Sequence, residues 1–135
     1  MGKRLRTQRR GRGTPSYRSP SHRHVADVRL PSLEGTGTVT DLIQAPGRSS
    51  PLAVIEFDGR SNYQLAAEGI KVGQTVTVGP GSVKSGNIME LSNIPEGTPV
   101  HNIEGMPGDG GKFVKAAGNS ASVVSRGEYV VLEMP

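Results

Sequence analysis

Apolar and polar residues begin to alternate near residue 34, in short runs broken by glycine and proline. Thr36–Ile43 (TGTVTDLI) is β-branched and partly alternating, as a half-buried strand should be. Leu52–Phe57 (LAVIEF) is a short apolar run, and Asn62–Ala66 (NYQLA) follows it after Asp58-Gly59. An Asp-Gly pair between two such runs predicts a hairpin, because both residues tolerate the positive φ of a tight turn. Residues 68–73 read as a compact loop. Thr75–Val78 (TVTV) is a further strand, ended by Gly79-Pro80-Gly81, and Asn87–Leu91 predicts a fifth that extends toward Ile94. Five short strands with glycine-rich corners fit a small, partly open barrel, of which the OB-fold is the commonest nucleic-acid version.

Pro95-Glu96-Gly97-Thr98-Pro99 marks a boundary. Beyond it come Val100–Glu104, a glycine-rich loop from Gly105 to Gly111, and Lys112–Ala117, with strand expected on both sides of the loop. Ser122–Ser125 and Tyr129–Met134 predict two more strands around a turn at Arg126-Gly127-Glu128. This looks like the opening of a second small barrel. No closing strand precedes Pro135, and an unpaired edge is a liability, so the chain is expected to be a fragment.

Composition thins the expected core. Hydrophobic residues are 33%, aromatics 4%, and there is no Trp, while Gly 19 and Pro 10 favour turns over helix. The absence of Cys excludes a disulfide framework and thiolate zinc ribbons. Met1-Gly2-Lys3-Arg4 is followed by no apolar h-region, Arg6 stands where a myristoylation signal needs Ser or Thr, and no run reaches membrane-spanning length. Gly11, Gly13, Pro15 and Pro20 would break the amphipathic helix of a transit peptide.

Charge changes the picture most. Residues 1–30 hold nine Lys/Arg against one acid, Asp27, for +8; residues 31–135 hold seven against eleven, for −4. A basic arm is attached to a mildly acidic body. The arm has too little apolar content to fold alone, and polyanion phosphates would offset its ordering. Eight of its nine cations are Arg, whose planar fork grips two phosphate oxygens and stacks on bases. Lys3, Arg4, Arg6, Arg9, Arg10, Arg12, Arg18 and Arg23 are the candidate RNA contacts, with Tyr17 to stack on an unpaired base and His22 and His24 beside them. The plain alternative is a solvated charge run or a nuclear-localisation signal. His22 and His24 lack a nearby acidic cluster and do not suggest a metal pair. His101 stands alone.

The loop GMPGDGGKF (105–113) resembles a phosphate loop but fails the pattern. From Gly105 the second glycine falls at Gly110, yet Gly111 occupies the lysine position, and Lys112 is followed by Phe113 where a hydroxyl is needed. The loop can still cradle an RNA phosphate on backbone N–H groups, with Lys112 and Lys115 as its cations. The alternative is a tight turn with an exposed lysine. No Cys nucleophile and no Ser/His/Asp spacing is present, and Glu96, Glu104 and Asp109 do not follow a calcium or magnesium loop. An enzyme is not expected.

Two long signatures, GKRLRTQRRGRGTPSYRSPSHRH (2–24) and NIPEGTPVHNIEGMPGDGGKFVKAAG (93–118), closely resemble the universal large-subunit ribosomal protein L-two family. The QRRGRGT opening resembles its archaeal and eukaryotic branch. The resemblance implies a mainly β chain: a basic irregular rRNA-binding extension (1–33), an OB-like barrel (34–95) and the first part of an SH3-like barrel (96–135). It implies a structural constituent of the large subunit that binds large-subunit rRNA beside neighbouring ribosomal proteins and supports subunit association and the peptidyl-transferase region. It implies a cytoplasmic, ribosome-bound monomer with no membrane, small-molecule substrate or cofactor, any Mg²⁺ being held through rRNA. Members of the family normally continue well past the position of Pro135, and more often carry an aromatic residue at the position of His24. The competing expectation is a free-standing OB-type translation factor or RNA chaperone stacking bases on Phe57 and Tyr63.

Overall fold

The computed structural model describes residues 2–135 and is mainly β. Strands β1 (Gly35–Ile43), β2 (Leu52–Phe57), β3 (Arg60–Leu65) and β4 (Thr75–Val78) form one antiparallel sheet in the order β3-β2-β1-β4. Strands β5 (Pro99–Val100), β6 (Ala121–Arg126) and β7 (Val130–Glu133) form a second, in the order β5-β6-β7. All named helices among the described residues are 3-10: Arg6–Arg12, Ser21–Arg23 and Leu91–Asn93.

The hairpin at Asp58-Gly59 forms as the sequence predicts. Both turn residues have positive φ (45° and 77°), the type I′ condition, and Phe57 pairs with Arg60 across it. β1 serves two partners. Residues 35–38 pair with β4 and residues 38–43 with β2, with a register shift between Val39 and Asp41. Such a bulge bends the strand and lets one sheet curl toward a barrel.

Alternation sets two cores. Val39, Ala53, Ile55 and Val76 are buried together on one face, with Phe57, Ala66 and Ile70 packed against them. Leu52 and Leu65, on the opposite face, cluster with Ala45 and with Val28 from the N-terminal extension. Full burial of each Val, Leu or Ile among them contributes about 1.5–3 kcal/mol. Val28 thus fastens the root of the extension to the first sheet. Two further bonds hold it. Arg29 O accepts from Gln64 Nε2 on β3 at 2.5 Å, and Leu30 N donates to Gly110 O at 3.1 Å.

The expected fifth strand does not form. Ile88 makes a single parallel bridge with Val78, and the chain enters the 3-10 turn at Leu91. The cause is Asn87. Its side-chain oxygen accepts from Thr77 N (3.1 Å), and its amide donates to Ser82 O (3.0 Å), so a side chain takes the place of a strand backbone. Continuous strands at Val100–Glu104 and Lys112–Ala117 also fail. Asn102 and Val114 hold positive φ (52° and 58°), leaving the two-residue β5 and one bridge between Ile103 and Phe113. The extension, expected to be irregular, carries two of the three 3-10 helices.

Candidate nucleic-acid interface

A 3-10 helix has three residues per turn, so side chains at i, i+3 and i+6 eclipse along one edge. In Arg6–Arg12 that edge is Arg6, Arg9 and Arg12, about 6 Å apart along the axis. Glycine at 11 and 13 and the lack of an apolar face favour this short helix over an α-helix. Leu5 N donates to the Gln8 side chain at 3.2 Å and closes the first turn. Gly13, at φ 65°, ends the helix in the left-handed conformation. The chain then folds back, with Tyr17 N donating to Thr14 O at 2.9 Å. Arg9, Arg12, Thr14, Ser16 and Tyr17 come to line an open notch of about 460 Å³.

The other predicted contacts spread around this feature. Lys3, Arg4, Arg10 and Arg18 are exposed. The only ion pair among the described residues is Lys112–Asp109, so no arm cation meets a carboxylate there. His22 and Arg23 sit exposed in the second 3-10 turn. His24 is placed differently. Its Nε2 lies 2.9 Å from Ser19 Oγ, its ring lies against Gly47 of the body, and Gly47 N donates to Arg23 O at 2.8 Å.

The glycine-rich loop does not offer the empty phosphate cradle that its sequence suggests. Its backbone donors already have anions. Asp109 Oδ2 accepts from Gly105 N and Met106 N (both 2.9 Å), and Asp109 Oδ1 from Gly111 N (3.0 Å). Glu104 accepts from Gly108 N (3.2 Å) and Gly110 N (3.1 Å). The Met106 N–H above all, then those of Gly111 and Gly105 and the Lys112 ammonium, hold the Asp109 carboxyl below the usual aspartate range. Two carboxylates of the chain stand where phosphate oxygens were expected. Lys112 remains 63% exposed at 3.8 Å from Asp109, while Lys115 donates to Gly111 O at 3.3 Å. Glu96 accepts from Arg126 N, so the three acids do not gather.

The loop between β1 and β2 was silent in the sequence and matters in space. Gly47 receives the arm, and Ser49 Oγ accepts from Ala117 N beside the second sheet (3.0 Å). Between them Arg48 is half-buried, and its Nε is enclosed without a partner. Its only sequence signal is a cation in a loop flanked by Gly47 and Ser49 within an acid-rich body. Phe57 packs on the first core rather than standing free, and Tyr63 is half-buried opposite Val54. No helix among the described residues is long and apolar enough to cross a membrane.

Two family models match the chain. A family model described as the RNA-binding N-terminal domain of ribosomal proteins L2 matches residues 3–78, and one described as their C-terminal domain matches residues 84–135. The chain is 48% identical over 137 residues to the large ribosomal subunit protein uL2 of Picrophilus torridus, covering 100% of this chain and 58% of that protein. It is 50% identical over 145 residues to the uL2 protein of Methanosphaera stadtmanae, covering 100% of this chain and 60% of that protein. With the uL2 protein of Haloquadratum walsbyi it shares 46% identity over 142 residues, again with 100% of this chain and 58% of the relative. The chain therefore spans under two thirds of the length of these relatives.

Proposed function

The chain belongs to the family of ribosomal proteins L2, and on that premise we propose that it is a structural, non-enzymatic RNA-binding constituent of the large ribosomal subunit. Its partners are large-subunit rRNA and adjacent ribosomal proteins, and its place is on the ribosome. The arm carries the strongest contact. The observation behind this reading is the row Arg6, Arg9 and Arg12, exposed on one edge of a helix with no carboxylate paired to any of them. Such a row suits a run of phosphates and nothing in the chain itself. Lys3, Arg4, Arg10, Arg18, His22 and Arg23 extend it, and Lys112 is a smaller second contact. The domain limits 1–33, 34–95 and 96–135 are part of the same proposal. Within the first of these, residues up to about 27 would meet RNA, since Val28 is buried against the first sheet. Support of subunit association and of the peptidyl-transferase region is the family-level role to which these contacts would contribute.

The test is sedimentation of the chain with large subunits under a high-salt wash. A structural constituent stays with the particle. A free-standing translation factor or RNA chaperone washes off, and that result would replace this reading.

A further inference from the structure

We infer that the notch in the arm is a receptor for one extruded nucleotide, whose base stacks on Tyr17 while its flanking phosphates lie on Arg9 and Arg12; this rests on the rRNA-binding reading and sharpens it.

Three observations combine. The notch is an open hollow of about 460 Å³ on the surface of the arm. Arg9 and Arg12 both line it from one edge of the 3-10 helix, because they are three residues apart. Tyr17 lines it too, and stays 51% exposed although it is one of only three tyrosines in the chain. A half-exposed aromatic ring on an arm without a core keeps much of its surface free for a ligand.

The geometry selects the ligand. A duplex presents its phosphates outward and hides its base faces in the stack. An exposed ring beside two arginines meets a base face where that base has left the stack. Thr14 and Ser16 line the same notch and add hydroxyls that can serve a base edge or a ribose 2′-OH, each as donor or acceptor. Gly13 makes the arrangement. Its left-handed φ of 65° turns residues 14–17 back toward the helix, and a side chain there would be strained. The arm is thereby more than a charge carrier. It combines a sequence-blind row of cations with one position that asks for an unpaired base.

The test uses the full chain and two RNA hairpins, one fully paired and one with a single 2-aminopurine bulge. The bulged hairpin should bind at least about 5-fold tighter, the lower end of what stacking on an aromatic side chain is worth, with 2-aminopurine fluorescence quenched. Tyr17→Leu should abolish both the preference and the quench, and Tyr17→Phe should keep both. Equal affinity for the two hairpins, or a preference that survives Tyr17→Leu, overturns the receptor while leaving salt-dependent RNA binding intact. Failure of both hairpins to bind removes the rRNA-binding reading as well.

Discussion

The imidazole of His24 rests on the backbone of Gly47, where a Cβ would come within 2.8 Å of Cε1 and 2.9 Å of Arg23 O. Gly47 has an ordinary φ, so alanine there is excluded by packing and not by backbone strain. Gly47→Ala should lift residues 23–24 off the body and leave the barrel folded. Limited trypsin digestion should then cut after Arg23 several times faster, with the melting temperature little changed. An unaltered digestion pattern would show that the contact does not hold the arm.

The arm contacts should appear as counterion release. About six phosphate contacts give a slope of log affinity against log salt near −4 to −5, and removing three should reduce its magnitude by roughly 2–3. Arg9→Ala, Arg10→Ala and Arg12→Ala combined make that variant. Filter binding to large-subunit rRNA across a salt series reads both slopes, and a flat response in the unmodified chain would make the arm a passive tail.

Asp109 sets a pH limit on the glycine-rich loop. Its carboxyl titrates below the ordinary aspartate value because the charged form accepts from Met106, Gly111 and Gly105 N–H and faces Lys112. A depressed folded value means that the stabilisation is complete above the unfolded pKa of about 3.9 and is lost as pH falls through the folded value. The amide resonances of Gly105, Met106 and Gly111 should therefore stay fixed from neutral pH down to about 4 and move only in stronger acid. Asp109→Asn should shift them at neutral pH and remove their acid transition. Identical spectra for the two proteins would mean that the carboxylate does not order the loop.

Gly37→Ala separates the core from RNA binding. A Cβ at Gly37 would meet Phe57 Cδ1 at 2.7 Å and Ile55 Cγ2 at 2.8 Å, in the buried heart of the first sheet. Overpacking of this kind costs about 1–3 kcal/mol. Denaturant unfolding should show that loss, while rRNA affinity measured well below the melting transition stays the same. A parallel drop in affinity would instead place Phe57 on the RNA-binding surface, as the free-standing factor requires.

Strands with a period of two and a Gly-containing turn were legible. Leu52–Phe57 and the Asp58-Gly59 hairpin fall where a short apolar run and its turn pair put them, since the signal is local and the turn chemistry is specific. Asn87 defeated the fifth strand because a side-chain amide can imitate a backbone, which apolar periodicity does not register. Val28 was hidden among charges, and one apolar residue has no period. The arm's cations were plain as a count, but the alignment of Arg6, Arg9 and Arg12 depends on a helix type that their spacing alone does not dictate. The filling of the glycine-rich loop by Glu104 and Asp109 was least legible. The same residues that invite a phosphate also supply its substitute, and only the directions of the carboxylates decide.

The bond from Gly47 to the carbonyl of Arg23 shortens a tether. Without it, about 27 residues would swing freely from Val28; with it, about 22 remain beyond the anchor. The local concentration of a tethered group falls roughly as the −3/2 power of tether length, so this single clasp would raise the arm's concentration at RNA touching the body by roughly 1.4-fold. The gain would fall on RNA that engages both parts at once, which would make the loop between β1 and β2 a contributor to avidity.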